Sequence, residues 1–325
     1  MPRDASRHLA GGASWPVLLI VLAGLAVYAN SLFVPFLFDD YRSIAANPRI
    51  RELWPPWGIL GGSSGRPLTE LTFALNYALG GLDVVGYHLT NVAIHLLAAL
   101  TLYGLLRRSL RLRGEAAATG LAASASLLWA LHPLQTQSVT YLVQRSESLM
   151  GLLALLTLYS LTRAAESPTP RGWSALAVAA CCLGMATKPV MVTVPLLALC
   201  YDASCLAGSL RQAWQRRRGL YWGLAASWLL LAALLLGRPE PTPTAGFGLT
   251  SLSPGAYLRT QPAVLVHYLR LVCWPQPLVL DYAWPVARHW QEIGPPSLLL
   301  AGLLLATILA WRRHRPVGGL AAAAW

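Results

Sequence analysis

The stretch FLFDDYRSIAANPRI, Phe36 to Ile50, sets two neighbouring carboxylates, Asp39 and Asp40, at the end of an apolar run that starts at Trp15. Adjacent acids repel one another and resist dehydration, so holding them beside a membrane segment asks for a pairing or a functional reason. Two kinds of chemistry use such a doublet. One carboxylate can take the proton of an attacking hydroxyl, an effect worth about 10²–10⁴-fold in rate. The pair can instead hold a divalent ion, Mg²⁺ or Mn²⁺, which offsets their repulsion and helps a phosphate depart. A solvated pair opening a short helix is the plain structural alternative, and the residues alone do not choose.

Other ionisable and polar groups recur at corresponding places. His132, Gln137, Arg145 and Glu147 lie in LHPLQTQSVTYLVQRSESL, Lys188 lies in ATKPVMVTVP, and Arg66, Arg259, His267 and Arg270 lie in two long connectors. Taken singly, each has a bland account. His132 before Pro133 can end a helix, Arg145 and Glu147 can pair with each other, and Lys188 can snorkel to an interface. Taken together they offer cations beside a carboxylate pair. That set suits an anionic lipid-linked group, with Arg gripping a phosphate as a fork and Lys as a point charge.

What must position these groups is a set of membrane helices. The chain has 325 residues, 55% hydrophobic and only 12% charged, against about 25% charged in soluble domains. Apolar segments run over about 15–34, 87–106, 116–131, 149–162, 173–187, 190–206, 219–237 and 297–311, eight expected spans of an all-α polytopic membrane protein. A formal charge of +12 would suit a nucleic-acid partner in a soluble protein. Here the arginines sit in short loops between spans, which excludes that class and points to the lipid bilayer.

The loop charges orient the chain. One side carries 15 basic and 4 acidic residues, the other 10 and 9. The positive-inside rule puts residues 1–14 in the cytoplasm as a tail and the doublet outside. The first apolar run continues into Asp39 without a small-residue cleavage site, so it reads as an uncleaved helix. The external loops, about 35–86 and 238–296, are too long to be turns. Trp54 and Trp57 suit the headgroup level. Leu68 to Leu79 has helical spacing and is expected to lie along the interface. In the second loop RPEPTPTAGFG reads as turn-rich, and PAVLVHYLRLVCWPQPLVL as an interfacial or re-entrant piece. The five cysteines do not form a disulfide framework. The ending VGGLAAAAW resembles the opening of a further span.

Five blocks in order, NSLFVPFLFDDY, RPLTELTFALNYALGGLDVVGYHLTNVAIHLL, LHPLQTQSVTYLVQRSESLMGLLALLTLY, KPVMVTVPLLALCYD and YLRLVCWPQPLVLDYAWPV, resemble the membrane part of the transmembrane and tetratricopeptide-repeat (TMTC) family, its bacterial-type members most. That family is similar to the GT-C superfamily of membrane glycosyltransferases, which includes the protein O-mannosyltransferases. The resemblance implies a GT-C type transmembrane helix bundle over 15–325. It also implies inverting transfer of a hexose such as mannose, from a polyprenyl-phosphate donor to a hydroxyl of a protein or glycan acceptor, outside a bacterial inner membrane. On that likeness Asp39 and Asp40 match the family's acidic motif, Arg66 its Arg-Pro, His132, Arg145 and Glu147 its His-Pro and Arg-acidic elements, and Lys188 its Lys block. Arg66, Arg145 and Lys188 would hold the donor phosphate. His132, Glu147, Gln137, His267 and Arg259 would shape the site.

Gln137 stands where many relatives carry Glu, and the tetratricopeptide repeats are absent from these 325 residues. A truncated or non-catalytic paralogue is therefore one alternative. A transporter is another, although its ionisable groups would be expected near the midplane, with inverted repeats that this chain does not show.

Overall fold

The computed structural model describes residues 14–54, 58, 65–237 and 253–313. Among them all regular structure is helical. In a bilayer a helix satisfies every backbone polar group within its own segment. In chain order the helices are α1 (Ser14–Tyr28), α2 (Pro67–Gly80), α3 (Val84–Leu112), α4 (Ala118–Ala130), α5 (Gln135–Thr140), α6 (Arg145–Glu166), α7 (Pro170–Met185), α8 (Val194–Cys205), α9 (Leu210–Leu236), α10 (Pro254–Cys273) and α11 (Trp290–Arg313). Short turns, Leu142–Gln144 and Pro189–Thr193 among them, join several of these.

Among the described residues, five helical stretches are long and apolar enough to cross a membrane: Ser14–Ser31, Val84–Leu112, Leu142–Glu166, Leu210–Leu236 and Trp290–Ala310. Three of the eight expected spans fall short. Helix α4 has 13 residues, α7 has 16 and α8 has 12. At 1.5 Å per residue these reach about 18–24 Å, against about 30 Å of hydrocarbon. Their apolar runs are cut by His132–Pro133 and Lys188–Pro189, where the backbone leaves the helix to build the region of interest. Interruptions of this kind are tolerated at membrane depth only where protein or a cavity covers them.

The chain forms two compact units, 1–238 and 239–325. In the first, α3, α6, α7 and α9 pack side by side. Their core holds Leu161, Ala177, Cys181, Met185, Ala198 and Leu224. Small residues permit the close approach. A Cβ on Gly223 would stand 2.7 Å from Val178 Cγ2, as expected where lipid supplies no hydrophobic drive and packing must hold helices together.

Helix α2 departs from the expected surface helix. Phe73 and Ala74 are buried in a cluster with Ile44, Ile50, Tyr87 and Leu142, and Glu70 and Asn76 are buried too. Its polar side faces protein, not headgroups. Trp54 is 79% exposed, as expected of an interfacial ring, whereas Trp57, the RPEPTPTAGFG loop and VGGLAAAAW lie outside the described residues. In the second unit the apolar segment after Ser253 is one helix, α10, with Pro262 inside it. It is not among the helices long and apolar enough to cross a membrane. All five cysteines are free.

Candidate functional site

The doublet is not a pair of equivalents. Phe38, just before it, has φ of 43°, a left-handed conformation that costs a non-glycine residue about 1–2 kcal/mol and that clusters at functional sites. That twist leaves Asp39 exposed and buries Asp40, which is 1% exposed. Asp40 Oδ2 accepts from the Leu37 amide at 3.1 Å and Oδ1 from the Val143 amide at 2.7 Å. Burial pushes the Asp40 carboxyl above the usual carboxylate range, against those amides and the nearby His88 ring. The Asp39 amide donates to Tyr141 Oη at 3.0 Å, and the residue is exposed. A π-helical turn follows at once, Tyr41–Ala45, closed by the Ala46 amide on the Tyr41 carbonyl at 2.6 Å. Such turns are rare and frequently sit at functional sites.

Arg145 opens α6 and is fully buried. Its Nε donates to Asn91 Oδ1 at 2.6 Å, Nη1 to Asn76 Oδ1 at 2.7 Å and Thr72 Oγ1 at 3.2 Å, and Nη2 to the Tyr87 carbonyl at 2.9 Å. The guanidinium carbon lies 4.5 Å from the centre of the Phe73 ring, a cation–π contact. The guanidinium therefore joins α2, α3 and α6 and turns its donors inward. It does not pair with Glu147.

Glu147, two residues further on, pairs instead with Lys188. Lys188 is the only lysine among 25 basic residues of the chain, and its side chain is 19% exposed beside the 37% exposed Glu147. Burial and the charge of Arg66 pull the Lys188 ammonium down to about 8, and contact with Glu147 works the other way. Arg66 stands at the start of α2, where its carbonyl accepts from the Glu70 amide at 3.1 Å, and the Leu68 amide donates to the Ala186 carbonyl at 3.1 Å. That bond pins the Arg66–Leu68 segment to the turn carrying Lys188. Asp39, Asp40, Glu147, Lys188 and Arg66 are thus assembled at one end of the bundle, around the N-terminus of α6.

The scaffold for this assembly is a row of polar residues on α3. His88 Nε2 donates to the Val34 carbonyl at 2.9 Å, Asn91 Nδ2 to the Val139 carbonyl at 3.1 Å, and His95 Nε2 to the Ala130 carbonyl at 2.9 Å. Each ties a different interruption: the irregular segment before the doublet, the end of α5 and the end of α4. Sequence reasoning missed all three. The available signal was YHLTNVAIH, polar side chains at i, i+3 and i+7 within a span, where polar groups are expensive and carry a reason. His88→Leu leaves the Val34 carbonyl unpaired. It is expected to lower folding stability by about 1–3 kcal/mol, read as a lower thermal midpoint, with part recovered in His88→Gln, which still donates.

The remaining expected residues are placed differently. His132 Nδ1 accepts from the Leu134 amide at 3.2 Å and so closes the turn after α4. It also borders a groove of about 480 Å³ with Ser124, Leu127, Leu128 and Pro133. Gln137 is exposed on α5. Arg259, His267 and Arg270 belong to the second unit, on α10. There the His267 ring lies 4.8 Å from Tyr282 and 5.1 Å from Trp284, Arg259 Nε donates to the Gly255 carbonyl and Arg270 Nη2 to the Gln276 carbonyl. For a divalent ion at the doublet, the free carboxylate is Asp39 alone, since both Asp40 oxygens are held by amides. Among the described residues no three His, Cys, Asp or Glu side chains gather in a way that could hold a metal.

The family model described as dolichyl-phosphate-mannose-protein mannosyltransferase matches residues 64–236. The chain is 31% identical over 207 residues to protein O-mannosyl-transferase TMTC3 of Homo sapiens, covering 59% of this chain and 22% of that protein. It is 36% identical over 198 residues to TMTC2 of Mus musculus, covering 55% and 23%. It is 30% identical over 239 residues to Tmtc3 of Drosophila melanogaster, covering 62% and 26%. The chain thus spans about a quarter of the length of the curated relatives it matches. No solved structure matches significantly.

Proposed function

This chain belongs to the dolichyl-phosphate-mannose-protein mannosyltransferase family, and from that premise we propose that it transfers a hexose from a polyprenyl-phosphate donor to an acceptor hydroxyl. The observation that carries the proposal is that one exposed carboxylate, Asp39, and two neighbouring cations, Arg66 and the Glu147-paired Lys188, lie at the same end of the bundle. Asp39 takes the proton of the acceptor hydroxyl. The hydroxyl oxygen attacks the anomeric carbon, and the lipid phosphate leaves from the opposite face of the sugar, which inverts the anomeric configuration. Lys188 and Arg66 hold the departing phosphate oxygens, where charge develops and where donors gain most in a dry site.

Asp40 and Arg145 act in this reading as positioning residues. Asp40 carries two amides and Arg145 four inward hydrogen bonds, so neither offers a free group to a substrate in this structure. A divalent ion, Mg²⁺ or Mn²⁺, would find one carboxylate and the lipid phosphate as ligands, the sparse protein contribution typical of Mg²⁺. The chain is a multi-pass membrane protein. We place it in a bacterial inner membrane with the tail inside, the site outside and undecaprenyl phosphate as the carrier. Mannose and a protein acceptor rest on the names of relatives, and Ser/Thr hydroxyls on the TMTC resemblance.

Lys188 gives this reading a pH dependence. The ammonium binds phosphate only while protonated, so donor affinity falls as pH rises through about 8. In Glu147→Gln the proton is held less firmly and the break moves to lower pH. Donor binding measured against pH checks both, and an affinity unchanged well above pH about 8 would contradict the role of Lys188. The broader test is mass spectrometry of envelope proteins and glycolipids with and without the gene. Loss of a hexose from defined molecules supports the proposal, and identical glycan profiles oppose it.

A further inference from the structure

We propose that the end of the first unit opposite the doublet binds the surface of an anionic bilayer, with one phospholipid headgroup seated beside Arg163 and Arg171. This does not rest on the transferase reading. Helix α6 carries 22 residues, so its two ends are about 33 Å apart, close to the thickness of a bilayer core. Where α3, α6 and α8 end and α7 and α9 begin, segments 107–118, 163–171 and 202–218 hold ten arginines, three acids and no lysine.

The three acids are already engaged. Glu166 accepts from Arg108 at 2.6 Å. Asp202, fully buried, receives Arg217 on both oxygens, at 2.7 and 2.8 Å, together with the Tyr221 hydroxyl. Glu115 Oε1 accepts from the Ala117 amide at 3.2 Å. Arg171, Arg211, Arg216 and Arg218 are exposed and form no ion pair with an acid among the described residues. Their charge has no counter-ion within the described fold, and at this depth lipid phosphate supplies one. Arginine suits it because the guanidinium fork grips two phosphate oxygens.

Local shape agrees with a lipid occupant. Arg163 lies 4.1 Å over the Trp173 ring and donates to Tyr159 Oη at 3.2 Å. Next to it a groove of about 770 Å³ is lined by Pro168, Arg171, Trp173 and Leu176, cationic at Arg171 and apolar along α7. That is the amphiphilic profile of a phospholipid, not of a free ion. On the neighbouring helix α9, Arg217 breaks the helical backbone (φ −133°, ψ 31°) while its side chain is clamped by Asp202. The break redirects the turn bearing Arg211 and Arg216 relative to the span. Trp214 stacks on Tyr221 at 5.9 Å and Trp222 is 65% exposed, so the basic turn also carries interfacial rings.

The test uses the whole chain in nanodiscs of phosphatidylcholine with or without phosphatidylglycerol. Native mass spectrometry counts retained lipid, and thermal unfolding reports stability. Phosphatidylglycerol is expected to be retained preferentially and to raise the thermal midpoint, with both effects weakened several-fold by salt. Both should be lost in the combined variant R171Q/R211Q/R216Q/R218Q and largely kept in R171K/R211K/R216K/R218K, which preserves charge. The substituted side chains are exposed, and the lysine variant controls for folding. Equal retention of the two lipids, or undiminished preference in the glutamine variant, overturns the proposal. So does protection in detergent by inorganic phosphate equal to that by phosphatidylglycerol, because the surface would then be an anion site and not a lipid surface.

Discussion

Asp39→Asn is expected to lower the rate of sugar transfer by about 10²–10⁴-fold, the usual worth of a general base, while leaving the thermal midpoint close to that of the wild type. The amide matches the carboxylate in shape, and the Asp39 contact with Tyr141 runs through the backbone, which the substitution keeps. What is lost is basicity at an exposed position. Asp40→Asn is expected to behave in the opposite sense. Its two oxygens accept from Leu37 and Val143, and an amide must turn its NH₂ toward one of those donors. A buried donor facing a donor costs about 1–3 kcal/mol. The fold around the doublet loosens, and transfer falls with it, in proportion to the protein that remains folded. Activity per folded molecule, with folding followed by thermal unfolding in detergent, separates the two. A silent Asp39→Asn beside an inactive, fully stable Asp40→Asn would reverse the assignment.

Arg145→Met carries the largest expected cost to the fold, about 3 kcal/mol or more, because it strands four buried acceptors at once. Asn91 Oδ1, Asn76 Oδ1, Thr72 Oγ1 and the Tyr87 carbonyl all lose their donor, and each unpaired buried group costs about 1–3 kcal/mol, short of additive. Arg145→Lys is not expected to rescue it. A single ammonium on a flexible stem cannot reach acceptors spread over α2 and α3, and it forfeits the flat contact with Phe73. Denaturant unfolding of the reconstituted protein measures this. Normal stability in Arg145→Lys, with a loss confined to donor affinity, would return Arg145 to the phosphate pocket.

How far the sequence foretold this differs from residue to residue. An all-helical membrane protein was legible in composition, because bilayer thickness and backbone satisfaction leave few choices. Asp39 and Lys188 were legible as charged groups at expected span ends and Arg66 as a cation in the first long loop, and the structure sets all three at one end of the bundle. The division of labour within the doublet was not legible. It depends on the φ of Phe38 and on an amide from Val143, more than a hundred residues away, and no local pattern encodes such a contact. The alternative in which Glu147 pairs with Arg145 fails for a related reason. Arg145 lies two positions away in sequence, but successive helical residues point in different directions, and Lys188 arrives from another turn of chain. The shortened helices α4, α7 and α8 were overread because their apolar runs are themselves short, and the flanks that would have to lengthen them, His132–Pro133 and Lys188–Pro189, leave the helix instead.

The central claim is that one exposed carboxylate and one cationic pocket, assembled around the start of α6, transfer a lipid-carried sugar. The most direct measurement is single-turnover transfer in proteoliposomes, from a polyprenyl-phosphate mannose of known anomeric configuration to a hydroxyl acceptor, with the product's configuration read by nuclear magnetic resonance. Formation of a product of inverted configuration, lost in Asp39→Asn and restored by no change elsewhere, is the expected result. Transfer at an undiminished rate in Asp39→Asn, or a product of retained configuration, would contradict it.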